Sequence, residues 1–499
     1  MIFDFPPGRR TGVAAALALA LLGLPAAAQL PSLGDTGDMT TGAERKLGEK
    51  IARELYRDPD YIDDPVLVEY VQGIWQPLLA AARARGDLTS ELDQRFAWQV
   101  LLGKDRSINA FAVPGGWLGL HLGLVSVTAN RDELASVLAH ELSHVTQRHI
   151  SRMMEQQGKQ SPWVIAAMIL GALAASKSPE AGKAVVAGSQ ALAAQQSLNF
   201  SRDMEREADR IGLGVMTQAG FEPQGFVTMF EKLQQAARLN DNGSFPYLRT
   251  HPMTTERAAE MQSRQQLAGR GPALATIEHA MAAGRARVLA NPGIDALRGA
   301  VTESETASLA TQPRARQAAV LYAATFAASK LRDQPLATRL LARLDTVVAD
   351  DVAGRRLARL LEAEMAAAAG DPARVLRLVD TGTRRPELLL ASPAQVQGGR
   401  GREAAQRLQA WVADHPRDAT AWQQLSAAYA AQGQPLRAVR AEAEARVAQL
   451  DYTAAMDRFK AAQDLVRKGA GGGDHIEASI IDTRARQVES LLREQAVER

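Results

Sequence analysis

Apolar residues recur at helical spacing through most of the chain. Leu47, Ile51 and Leu55 share one face, which predicts a helix over about 43–56 that ends at Asp58-Pro59-Asp60. Asp64-Pro65 opens a second helix with Val66, Tyr70, Ile74 and Leu78 as its stripe. Proline suits the first helical turn, where its missing N–H would have no partner anyway. Between 96 and 121 the period changes. Residues 96–102 read as a strand, and 108–121 as a strand, a Pro114-Gly115-Gly116 turn and another strand. Helical spacing returns with Leu134, Val137, Leu138, Leu142 and Val145, the pattern of a largely buried helix. A further inward-packing helix follows Ser201, which can cap it, with Ala208, Ile211 and Val215 on its apolar stripe.

From about Gly271 the chain is rich in Ala, Leu and Arg, helical in period, and almost without strand signal. Stretches 318–328, 336–344, 352–369, 372–379 and 402–414 pair into antiparallel helices, with turns at Gly370-Asp371-Pro372 and Asp414-His415-Pro416. Pro416, Trp422, Leu425, Tyr429, Gly433, Ala438 and Ala445 lie at spacings similar to the tetratricopeptide pattern. Stacked helix pairs present a concave surface suited to a protein segment. Residues 469–473 read as a flexible break before a last helix. The expected fold is mainly α (α+β): a helical domain with a small β-sheet at 44–270, then an α-solenoid of tetratricopeptide-like pairs at 271–499.

The 499 residues suffice for two or three domains, and a net charge of +2 with dispersed basic residues gives nucleic-acid binding no support. There is no cysteine, which removes disulfides, thiol catalysis and cysteine-type zinc sites. Histidines and carboxylates remain as metal ligands. Arg9 and Arg10 precede an apolar run at 13–22, Pro25 breaks it, and Ala26-Ala27-Ala28 offers a cleavage site before Gln29. That reads as a secretory signal peptide at 1–28, with an N-terminal membrane anchor as the alternative, followed by a flexible leader at 29–43, and it predicts a periplasmic protein. No cysteine follows the run, so a lipoprotein anchor is excluded. Residues 163–175 form the most apolar stretch after the signal, too short to cross a bilayer. Burial or a lid over a site is the favoured reading, with peripheral membrane contact as the alternative.

The chemistry concentrates at His140-Glu141-Leu142-Ser143-His144. Histidines four apart lie on one helix face and can reach one metal ion, while Glu141 can take a proton from an attacking water. A zinc site of this kind needs a third protein ligand, and Glu205, 61 residues after His144, fits. Asp209, one turn further, can orient a histidine or supply a proton. His149 is not counted as a ligand. It lacks the metzincin spacing, and on a straight helix it points away from His140. His121, His279, His415 and His475 have no partner at useful spacing and read as structural. The strand edge near Phe111 could hold an extended peptide through backbone hydrogen bonds.

The motif at 140–144, followed by Ser201-Arg202-Asp203-Met204-Glu205-Arg206-Glu207-Ala208-Asp209, resembles the gluzincin metallopeptidases related to CAAX prenyl proteases and HtpX. Asn109-Ala110-Phe111-Ala112-Val113-Pro114-Gly115-Gly116, the signal peptide and the helical tail look closer to soluble exported members serving outer-membrane β-barrel assembly. The resemblance covers about 29–270 well and the tail only in type. It implies one zinc ion on His140, His144 and Glu205, Glu141 as general base, and Asp209 as proton donor. It further implies that His251, in Thr250-His251-Pro252, approaches the metal and restrains activity. Implied clients are unfolded or misassembled outer-membrane proteins, and the implied partner is the barrel assembly machinery. The expected function is a periplasmic zinc endopeptidase with a chaperone role. The alternative is a non-proteolytic chaperone or adaptor that binds clients through its repeats, against which the intact ligands and Glu141 stand.

Overall fold

The computed structural model describes residues 39–156, 201–238, 245–268, 275–469 and 474–497. The signal peptide, most of the leader, the apolar stretch 163–175 and most of the break at 469–473 lie outside them.

The first helix, α1 (Thr41–Arg57), starts two residues before the expected 43, because the Thr40 hydroxyl caps it by accepting the Ala43 N–H at 3.1 Å. A two-residue strand follows, β1 (Tyr61–Ile62). Then comes α2 (Pro65–Arg85), whose Asp64 cap accepts the Leu67 N–H at 2.9 Å, and the short α3 (Ser90–Arg95). Strands β2 (Gln99–Gly103), β3 (Ala110–Val113) and β4 (Trp117–His121) complete a four-stranded sheet in the order β1-β2-β4-β3. β2 and β4 run parallel, and the other two pairings are antiparallel.

The β3–β4 turn depends on Gly115 and Gly116, which take φ values of 74° and 86°, where a side chain would be strained. Phe111 lies across the hairpin so closely that a Cβ on Gly119 would fall 2.0 Å from its ring. The outer edge of β3 pairs with no strand among the described residues.

Beyond the sheet, α4 (Leu122–Val127) leads to α5 (Arg131–Thr146), which is buried at every position after Arg131. Asn130 caps α5 by accepting the Glu133 N–H at 2.9 Å, and the Glu133 carboxylate accepts the Ala129 N–H at 2.6 Å. The chain then breaks at Gln147-Arg148 and resumes as α6 (His149–Gln156). Four more helices close the N-terminal half among the described residues: α7 (Arg202–Gln218), α8 (Gln224–Arg238), α9 (Tyr247–Thr250) and α10 (Thr255–Ala268). Ser201 caps α7, as its position suggested, by accepting the Met204 N–H at 3.2 Å.

The remainder is helical throughout the described residues. It comprises α11 (Ile277–Ala290), α12 (Ile294–Glu303), a 3-10 turn, α13 (Arg314–Lys330), α14 (Gln334–Val347) and α15 (Val352–Ala368). Next are α16 (Pro372–Val379), α17 (Arg385–Gln397), α18 (Gly401–Asp414), α19 (Ala419–Ala430), α20 (Pro435–Ala448), α21 (Tyr452–Arg467) and α22 (His475–Val497). The class is therefore mainly α with one small sheet followed by a helical-repeat region.

Apolar packing does not stop where the two halves meet. One core runs from Val66 on α2 through the motif helix α5 to Leu360 on α15 and Ala394 on α17. A second joins α1 and the sheet (Leu47, Ile51, Trp117) to Phe459 on α21 and Ile481 on α22. Buried Arg285 on α11 bridges the halves, donating to both Asp64 oxygens at 2.8 and 2.7 Å and to Glu364 on α15 at 2.8 and 3.1 Å. Among the described residues no helix is long and apolar enough to cross a membrane.

Candidate metal centre

Helix α5 presents His140 and His144 one turn apart, and α7 crosses it closely enough to bring Glu205 to them. Gly212 permits that approach: a Cβ there would stand 3.1 Å from the backbone of Ala139 and His140. Nε2 of His140 and Nε2 of His144 are 2.9 Å apart. Glu205 places Oε2 3.6 Å from the first and Oε1 3.4 Å from the second. His251, at the end of α9, completes the cluster, with Nδ1 3.0 Å from Glu205 Oε1 and 3.3 Å from His140 Nε2. One ligand atom from each of the four residues lies within 4.8 Å of the others, and all four side chains are buried.

Glu141 sits beside this cluster with its carboxylate 3.4 Å from Nε2 of His251. It is fully buried, with His251, His140 and the Tyr247 hydroxyl acting on its charge. A buried carboxylate is costly unless a cation or a polar reactant shares its pocket. Two imidazole nitrogens at contact distance, a carboxylate and a second buried carboxylate beside them together suit Zn2+, which takes nitrogen and oxygen ligands in a tetrahedral shell.

Electrostatics set these groups apart. Burial raises the Glu141 carboxyl above its ordinary value, against the pull of His251 and His140. Burial also acts to raise Glu205, but His251, His144 and Arg257 outweigh it and hold that carboxyl well below the usual range. Burial depresses His144 well below the usual imidazole value. For His251 burial acts downward, and the facing Glu141 and Glu205 more than reverse it. Two neighbouring carboxylates thus differ in basicity as a base and a ligand do.

A second layer surrounds the cluster. Asp209 Oδ1 lies 2.9 Å from Nδ1 of His140, off the axis of the ring N–H, on the ring edge opposite the cluster. Both its oxygens accept from the Arg257 fork, at 2.7 and 2.8 Å, and Arg257 also stands 2.6 Å from Glu205. Tyr247 stacks on His251 with ring centres 4.4 Å apart. On the far side of His144, Nδ1 meets Nδ1 of His149 at 2.8 Å, and His149 Nε2 meets Glu207 at 3.1 Å.

All the expected site residues therefore converge: His140, His144, Glu205, Glu141, Asp209 and His251. His149 lies outside the four-residue cluster, yet it is not turned away from it. The helix on which it would have pointed outward ends before it, and Arg148, at φ 51°, redirects the chain so that α6 returns toward His144. Arg148 is held there by Glu44 at 2.8 Å and the Met39 carbonyl at 2.6 Å. Nothing in Gln147-Arg148 marks a turn, so helical periodicity could not have found this contact. Arg257 and Tyr247 also escaped the sequence reading, having no motif of their own. His121 bonds Ser107 at 2.9 Å and His279 bonds Tyr70 at 2.6 Å, consistent with structural roles.

Comparison with known proteins agrees with this chemistry. Residues 77–265 match peptidase family M48. The chain is 36% identical over 282 residues to a putative beta-barrel assembly-enhancing protease of Vibrio cholerae, covering 55% of this chain and 56% of that protein. It is 29% identical over 467 residues to the Escherichia coli beta-barrel assembly-enhancing protease, covering 93% of this chain and 91% of that one. The yeast mitochondrial metalloendopeptidase OMA1 is 28% identical over 196 residues, 38% of this chain and 54% of the relative.

Proposed function

From the premise that this chain carries a zinc metallopeptidase domain of family M48, we propose that it is a periplasmic endopeptidase acting on outer-membrane β-barrel proteins that fail to assemble. The observation that carries the reading is Glu141, fully buried beside the four-residue cluster with His251 against its carboxylate. Relatives named for β-barrel assembly support the client class, and the signal-like N-terminus supports the compartment.

His140, His144 and Glu205 hold the ion, which when bound polarises the scissile carbonyl and lowers the pKa of the attacking water. Glu141 takes the proton from that water and later passes it to the leaving amine. The outer edge of β3 beside Phe111 aligns the client as an added strand, through main-chain hydrogen bonds. Asp209 orients His140 instead of donating a proton, because Arg257 occupies both its oxygens. His251 is the side chain that restrains cutting, since it stands between Glu141 and Glu205. Residues 44–270 are the peptidase unit. The tetratricopeptide-like helices of 271–499 receive clients, in a chaperone role, and dock on the barrel assembly machinery.

The test is Glu141→Gln assayed on an unfolded outer-membrane protein. Turnover should fall by about 100- to 10,000-fold, the contribution of a positioned general base. One zinc per chain should remain in this variant and be lost in His140→Ala. Unchanged client turnover in Glu141→Gln would favour the adaptor reading over the peptidase.

A further inference from the structure

A histidine that gives its Nε2 lone pair to a cation must carry its proton on Nδ1. For His144 that proton points at Nδ1 of His149, 2.8 Å away and within hydrogen-bonding geometry. His149 must then accept at Nδ1 and carry its own proton on Nε2, which faces Glu207 Oε2 at 3.1 Å. Glu207 is fixed in turn by Arg152, whose Nη1 donates to the same oxygen at 2.9 Å. Every proton in the chain is thereby determined once His144 is a ligand.

We propose that His149 is the positioning residue for ligand His144, accepting its Nδ1–H and passing the bond outward to Glu207. Metal-bound histidines usually donate their second N–H to a carboxylate, backbone carbonyl or water. Here His140 has Asp209 against it directly, whereas His144 has an imidazole in between. The insertion has an electrostatic reason. Glu141, Glu205 and Asp209 already place three carboxylates in the buried centre, with Arg257 beside two of them. A fourth carboxylate directly on His144 would add another buried negative charge. His149 supplies a neutral acceptor, fully buried, and moves the Glu207 charge to a site 29% exposed to solvent.

This inference rests on zinc binding at His140, His144 and Glu205, and the test keeps the two apart. The full-length mature chain is stripped with a chelator, and its zinc dissociation constant is measured by competition with a chromophoric chelator. Melting of the stripped proteins serves as the fold control. His149→Leu should bind zinc about 10- to 100-fold more weakly, the usual cost of losing such a partner. His149→Asn, whose side-chain oxygen can accept from His144, should recover to within about threefold of wild type. Glu207→Gln should weaken binding in the wild-type background and add nothing to His149→Leu.

A folded His149→Leu binding zinc within about twofold of wild type would overturn the proposal, as would independent, multiplying effects of the two changes. If His149→Leu does not fold, Asn at 149 and Gln at 207 decide: unchanged affinity in Glu207→Gln, or failure of His149→Asn to hold zinc, overturns it. Wild type that binds no zinc would sink the metal-site assignment along with this one.

Discussion

Replacing Asp209 by Asn separates the two chemistries open to that residue. The amide keeps the volume and one acceptor oxygen, but its NH2 cannot receive the Arg257 fork. Arg257 donates to Asp209 at 2.7 and 2.8 Å, and at least one of those charge-assisted bonds is lost, worth about 1.5–3 kcal/mol. Arg257 is not orphaned, because Glu205 stands 2.6 Å away. The full cost of about 3–5 kcal/mol for breaking a buried pair is therefore not reached, and a loss of about 2–3 kcal/mol is expected. His140 loses the negative partner 2.9 Å from its Nδ1, which should weaken zinc binding about 10- to 100-fold. The assays are urea unfolding of the zinc-loaded and stripped protein, chelator competition, and peptide cleavage at saturating zinc. At saturation most activity should return. If Asp209→Asn instead unfolds and binds zinc like wild type while saturated turnover drops 1,000-fold, Asp209 is the proton donor and the orienting role is wrong.

Four further outcomes follow from the packing. Gly212→Val drives methyls into the backbone of Ala139 and His140, so it should cost about 1–3 kcal/mol and weaken zinc binding by lifting α7 from α5, both read by melting and competition. Arg285→Met leaves buried Asp64 and half-buried Glu364 without their cation, and should lower stability in urea by about 3–5 kcal/mol. His251→Ala should raise turnover of an unfolded client severalfold in a peptide-release assay, and a fall would show that His251 assists the reaction. Burial holds His279 below its ordinary pKa, so the native state favours the neutral ring and the unfolded chain binds the extra proton first. Its contribution is whole above about pH 6.5 and is lost as pH falls through the depressed value, by at most about 1.4 kcal/mol per pH unit. Comparing unfolding free energies at pH 7.5 and 5.5, His279→Gln should show the shallower decline.

The parts of the site legible in the sequence are those that depend on spacing within one helix. His140 and His144 needed only the helical repeat, and Glu205 with Asp209 needed the same repeat on α7. Strand β3, its glycine turn and β4 announced themselves through composition as well. What was not legible rests on contacts between distant positions. Arg257 meets Asp209 across 48 residues and Arg285 meets Asp64 across 221, and neither arginine differs locally from its many neighbours. Helix α17 continues through Pro393, a residue that ordinarily ends a helix, because tertiary packing of Leu388, Leu389 and Ala391 overrides the local preference.

The break at Gln147-Arg148 explains how a single helix can serve both ligand histidines. On α7, positions 205 and 209 share a face, and 207 lies roughly 200° round the axis from 205 at about 100° per residue. Glu205 and Asp209 face α5 and reach His140 directly. Glu207 could not contact a residue on that side at all. Had α5 run on straight, His149 would also have pointed away, and His144 would have lacked this partner. Turning the chain at Arg148 brings α6 to the other flank of α7, where His149 bridges from His144 to Glu207. The strain of a positive φ at a non-glycine residue is of order 1–3 kcal/mol, and it persists only where surrounding contacts over-determine it. Here Glu44 and the Met39 carbonyl, both at the start of the described chain, supply those contacts. The N-terminal segment that precedes the sheet is thus coupled to the geometry of a histidine about a hundred residues away.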